Sequence, residues 1–381
     1  MIPGLDGLRA IAVLLVFASH ADLVSIGWMG VQLFFVLSGF LITSILLEMK
    51  ASLPVGKYFV KFYGRRFLRI FPLYYFYLAV MVVVVYWLLV VDFRPGTMQI
   101  FFDQVGYAFL YVYNIFYRAA WFHPMQFLDH FWSLAVEEQF YIVWPLLLLL
   151  VPQKYLKTLF ISFIVLGAGF RVLLYLWYLS GSNSWFFREP FGFVVYSWPL
   201  SQLDAFAFGA YISRYTIWRP KAQLLFLLML VSTIGFTVTY FTTGSIGSVT
   251  ALGYSLSAGN GYQFIWMYTL FNYFFAVLIY CVVHEKVLLR FLEMPWLRYL
   301  GKISYGIYVY HLALIWFIWK LYEEQMQGGM VYWIKLAAAL SGTILIASLS
   351  YSLLEKPILN LKDRFFAWSQ SPDDERPHAI L

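Results

Sequence analysis

Ten long apolar stretches, near residues 8–24, 29–48, 70–91, 131–151, 158–179, 198–214, 222–242, 262–283, 301–320 and 331–354, commit this chain to a membrane. Each has about the 17–25 residues that a helix needs to cross a bilayer core. Only 12% of the residues are charged, whereas a soluble domain would carry about a quarter. Membrane strands would read as ~10-residue alternating segments, but runs such as 79–91 and 144–151 are apolar on every side, which suits helices. The expected fold is therefore an all-α polytopic membrane protein, a bundle of about ten transmembrane helices.

Charge then orients the bundle. Lys50, Lys57, Lys61, Arg65, Arg66 and Arg69 crowd the loop between the second and third spans and assign it to the cytoplasm. The basic residues of 214–221 and 284–298, with Lys356, Lys362 and Arg364, also fall inside only if the short aromatic piece 105–117 does not cross. That piece is expected to be re-entrant or interfacial, with both termini cytoplasmic and the protein in the cell's inner (plasma) membrane. The same rule accounts for the net charge of +7 without any nucleic acid. A single cysteine, Cys281, excludes an internal disulfide framework and a cysteine-cluster metal site, so no metal is expected. The first apolar segment has no small-residue cleavage site and reads as a retained helix. Without repeats or a Pro/Gly/Ser-rich linker, residues 1–357 read as one membrane domain. The charged, proline-bearing residues 358–381 read as a disordered cytoplasmic tail, and no C-terminal soluble domain is expected. The polar loop 243–261 would lie outside.

Two ionisable residues stand inside the first span. Eleven helical residues turn roughly 1100°, so Arg9 and His20 project from one face, about 16 Å apart along the axis. An arginine at a helix centre costs at least ~2.5 kcal/mol, which calls for a partner, a ligand or a wet cavity. Glu137 and Glu138 follow HFWSL near the outer end of another span, at a depth His20 could share. A carboxylate beside an imidazole orients it and raises its basicity toward a hydroxyl. Asp204 is a further acid within an apolar span. Tyr305, Tyr308 and His311 follow at i, i+3 and i+6.

An arginine, ten residues and a histidine in the first helix, followed by FFVLSGFLIT, resembles acyltransferase family 3, membrane proteins that O-acetylate bacterial surface polysaccharides. GRRFLRIFPLYY at 64–75, HFWSLAVEEQFYIVWPLLL at 130–148, LDAFAFGA at 203–210, LGKISYGIYVYHLAL at 300–314 and YSLLEKP at 351–357 extend the resemblance from Gly4 to Pro357. It implies transfer of an acyl group, acetyl first of all, from cytoplasmic acetyl-CoA to a hydroxyl of a carbohydrate-containing acceptor at or across the membrane. The family's S-L-x-x-E-x-x-F-Y pattern falls on Ser133, Leu134, Glu137, Phe140 and Tyr141, which selects Glu137 over Glu138. Its R-x-x-R pattern falls on Arg66 and Arg69, which with Arg65 would dock the phosphates of the donor. His20, Glu137 and Arg9 would then form the catalytic set, with His20 either as the base or as the first acyl acceptor. His311 matches a family position and ranks below His20. The competing reading is a transporter or proton-coupled exporter using Arg9, His20, Glu137 and Asp204 as a relay, for which internal duplication would be the sign.

Overall fold

The computed structural model describes residues 2–367 except 118, 120, 124, 182–190, 255–262 and 322–328. Its described residues form helices and no strand. Seven helical runs are long and apolar enough to cross a membrane: Ser25–Ser52, Val55–Val90, Phe131–Leu150, Gln153–Leu179, Pro220–Thr243, Gln263–His284 and Gly329–Lys362. The protein is an all-α polytopic membrane protein. Three of the ten apolar stretches fall on shorter helices: Leu5–His20 with 16 residues, Leu203–Ile212 with 10 and Ser304–Leu321 with 18. Residues flanking these helices belong to other elements, as 301–302 do to the helix Pro295–Lys302. The stretch 198–214 begins with the turn Pro199–Gln202 before its helix starts. The interior of the bundle shields these short helices, so they need not match the bilayer alone.

One local expectation changes. The basic cluster rides on a helix rather than a loop, because Val55–Val90 runs unbroken for 36 residues through Pro72. Piece 105–117 is divided between the end of Pro95–Phe109 and the single turn Tyr113–Phe116. At about 1.5 Å per residue neither helix spans a ~30 Å core. After Gly329–Ser350 the chain makes a π turn at Tyr351–Glu355 and continues as Lys356–Phe365. The expected tail beyond 367 and the end of loop 243–261 lie outside the described residues.

The centre is held by close backbone contact and by a buried ion pair. Met29–Ser52 packs on Leu203–Ile212 through Gly39 and Gly209. A Cβ on Gly39 would lie 2.1 Å from the Phe206 carbonyl, and one on Gly209 2.1 Å from the Val36 carbonyl. Beside this seam the Arg171 guanidinium, fully enclosed, grips Asp204 with Nη2–Oδ2 at 2.6 Å and Nη1–Oδ1 at 3.1 Å. Thr269 and Asn272 donate to the same carboxylate at 2.7 and 3.1 Å. Three helices are thereby tied together at one point, and both charges are hydrogen-bonded, as burial requires. On the opposite side, the hydroxyls of Tyr58 and Tyr63 each donate, at 2.9 Å, to the Pro145 and Ile142 carbonyls of Phe131–Leu150. These bonds fix which face of Val55–Val90 turns inward.

Candidate functional site

Five helices converge on a cavity with about 880 Å³ of empty space whose cationic lining is all arginine. Leu5–His20 supplies Arg9, and Val55–Val90 supplies Arg66 and Arg69, neighbours on one helix face. Phe131–Leu150 adds Ser133, Glu137, Glu138 and Tyr141, Met29–Ser52 adds Ser38, and Ser304–Leu321 adds Tyr305 and Tyr308. Arg9 is held by Asp6, 2.8 Å from Nη1 to Oδ1. Arg66 lies over the Tyr141 ring, 4.5 Å from its centroid. Glu137 is occupied locally: the hydroxyls of Ser38 and Tyr141 both donate to its Oε1. Among the described residues, neither Arg66 nor Arg69 forms an ion pair with a carboxylate. Their guanidinium groups share the cavity with the carboxyl groups of Glu137 and Glu138 but are salt-bridged to neither, and their planar forks match phosphate oxygens. Arg65 turns away, donating to the Phe366 carbonyl at 3.2 Å, so it does not line the cavity with the other two.

Farther along the first helix His20 lines a second cavity, about 1020 Å³ of empty space walled by Trp28, Trp132, Tyr196 and Tyr117 with Ser19 and Asp22. It also borders a third, of about 660 Å³, beside Asp22, Lys320 and Lys335. His20 is exposed to these spaces, while His311 behind it is only 1% exposed. The hydrogen bonds fix the tautomers. His311 Nδ1 lies 2.6 Å from the Tyr308 carbonyl oxygen, which only accepts, so Nδ1 carries a proton. In the neutral ring Nε2 is then an acceptor, and it stands 2.9 Å from His20 Nδ1, which donates. The lone pair of His20 is left on Nε2. His130 stands on the far side of His311, ring centroids 5.2 Å apart, with its Nε2 3.0 Å from the Val309 carbonyl.

The structure therefore divides the residues that the sequence grouped. Arg9, Arg66, Arg69 and Glu137 come together in the first cavity; His20 opens on the second. The expected contact of Glu137 with His20 does not form, because Glu137 faces Ser38 and Tyr141 while a second histidine takes the place beside His20. Arg9 and His20 do share a helix face, but they look into separate spaces whose linings have Val31 and Tyr308 in common. Asp204 is enclosed by Arg171 rather than exposed to a cavity. The sequence reading passed over Arg171, although an arginine inside the apolar stretch 158–179 was a signal of the same kind as Arg9.

A family model described as an acyltransferase domain matches residues 2–352. The chain is 30% identical over 409 aligned residues to the O-acetyltransferase OatA of Staphylococcus aureus (strain MRSA252), which covers 100% of this chain and 61% of that protein. It is 31% identical over 396 residues to the putative peptidoglycan O-acetyltransferase YrhL of Bacillus subtilis (strain 168), covering 96% and 56%. The chain thus spans about three fifths of the length of the curated relatives it matches. No solved structure matches it.

Proposed function

The chain belongs to the acyltransferase family whose model it matches over residues 2–352, and from that premise we propose that it is a membrane O-acetyltransferase using an acyl-CoA donor and a carbohydrate acceptor. The observation that carries this reading is the placement of Arg66 and Arg69, without a salt bridge among the described residues, and of an imidazole with a free Nε2 lone pair on two sides of a wall that Val31 and Tyr308 share. The arginines, with Arg9, hold the donor's phosphates at the cytoplasmic side. The aromatic walls around His20 offer flat faces to a sugar ring entering from the outer side. Names of the relatives point to acetyl as the group and to peptidoglycan as the first acceptor to try. The protein sits in the plasma membrane with both termini in the cytoplasm.

In the transfer step, His20 Nε2 takes the proton of the acceptor hydroxyl, and the alkoxide oxygen bonds to the thioester carbonyl carbon. The C–S bond breaks, and the thiolate leaves as free CoA after receiving that proton from the imidazolium. His311 remains neutral throughout and holds the His20 ring in the required tautomer. Purified protein given acetyl-CoA should release thiol when soluble peptidoglycan fragments are added and retain the thioester when they are omitted. Folded protein that releases no thiol with any glycan, yet moves protons across vesicles, would return the transporter reading.

A further inference from the structure

The donor cavity and the His20 cavity are separated by a wall to which Val31 and Tyr308 contribute from both sides. We propose that these two side chains form a size filter that restricts the transferred group to the smallest acyl chains, an inference that rests on acyl transfer at His20 as described above. A thioester held by phosphates at Arg66 and Arg69 reaches the imidazole only where the two cavities adjoin, so the acyl group has to fit between Val31 and the Tyr308 ring.

Both sides of that passage are fixed. Val31 is 5% exposed and follows Gly30, which is pressed so closely on the first helix that a Cβ there would stand 2.3 Å from the Ala12 carbonyl. Tyr308 is 6% exposed and is held at three points. Its hydroxyl bonds the Ser133 hydroxyl and lies 3.3 Å from the His130 carbonyl, and its ring meets Phe34 edge-on at 6.2 Å. A ring that swung aside would give up its hydroxyl contacts and its packing on Phe34, while the backbone carbonyl of Tyr308 keeps its bond to His311. Packed interiors resist such displacement, which leaves the bulk of the two side chains to decide what passes. One methylene in a fitted apolar passage discriminates by roughly 10- to 200-fold.

The test compares thiol release from acetyl-, propionyl- and butyryl-CoA by the full chain and its variants, each checked for folding by its melting temperature. Wild type should prefer acetyl. Val31→Ala should raise the butyryl-to-acetyl ratio about tenfold or more, while Tyr308→Phe, which loses the Ser133 bond but keeps the ring, should leave the ratio unchanged. If Val31→Ala does not fold, Val31→Ile tests the same wall from the other side and should depress propionyl turnover more than acetyl turnover. An unchanged ratio in the folded Val31 variant overturns the filter and leaves the enzyme reading intact. Wild type that releases no thiol from any of the three donors overturns the donor reading and the filter with it.

Discussion

His311 Nε2 lies 2.9 Å from His20 Nδ1, and the carbonyl of Tyr308 on the far side of His311 gives that contact a direction. The enclosed ring acts only through the exposed one. Replacing His311 by leucine should therefore lower turnover by about 10²-fold, within the range that general-base catalysis contributes, and shift the pH–activity profile, while the donor KM stays near wild type. His311→Gln keeps an oxygen that accepts from His20 Nδ1–H and should retain more activity than the leucine variant. Equal losses in both, with no change of profile, would reduce His311 to packing.

The arginines separate into two classes. Arg66→Ala and Arg69→Ala should each weaken acetyl-CoA binding by about tenfold or more, since each removes a charge-assisted contact to phosphate. Arg65→Ala should change it less than about twofold, because that side chain serves the Phe366 carbonyl. Calorimetric binding with the three purified variants checks the ranking, and an Arg65 effect as large as the others would relocate the donor.

Topology follows from the same assignment. With Cys281 replaced by serine, cysteines introduced at the exposed Ser245 and Gly56 should label from opposite sides, Ser245 from outside and Gly56 from inside. Outside access at Gly56 would place the arginine cavity on the wrong side for a cytoplasmic donor.

The buried pair predicts a stability effect free of catalysis. Asp204→Ala leaves the Arg171 charge enclosed and should cost roughly 3–5 kcal/mol, whereas an apolar pair at both positions should recover most of the loss. Melting of detergent-solubilised single and double variants measures both, and additive losses would show that the pair acts independently of its charge.

These positions also show what a sequence can say about such a protein. Arg9, His20 and the Arg66/Arg69 pair stand out in the chain because a charge inside apolar sequence has few explanations, and helical periodicity places Arg9 and His20 on one face without any tertiary information. Partnership is different. Whether Glu137 or His311 meets His20 depends on the register between separate helices, set here by contacts such as Gly39 on Phe206 and the Tyr58 and Tyr63 bonds to Phe131–Leu150, which no periodicity encodes. Equal depth made Glu137 reasonable; rotation of its helix sends it to Ser38 instead. Span boundaries blur for a different reason, because a four-residue turn such as Pro199–Gln202 is averaged into the apolar helix it precedes.

Glu137 gives the sharpest test of that division. In the arginine cavity its carboxylate faces the same space as Arg66 and Arg69, so it opposes an anionic donor while Ser38 and Tyr141 hold it in place. Glu137→Gln keeps an oxygen to accept both hydroxyls, so the fold should be preserved, and it removes one negative charge from the cavity. Acetyl-CoA should then bind several-fold more tightly, most visibly at low salt, where screening is weakest. The pH dependence set by the histidines should not move, because Glu137 does not touch either ring. A carboxylate acting directly on His20 predicts the reverse: unchanged donor affinity, a displaced pH profile, and loss of turnover that is far less than additive with His311→Gln. Measuring donor affinity and the pH profile on this one variant decides between the two arrangements.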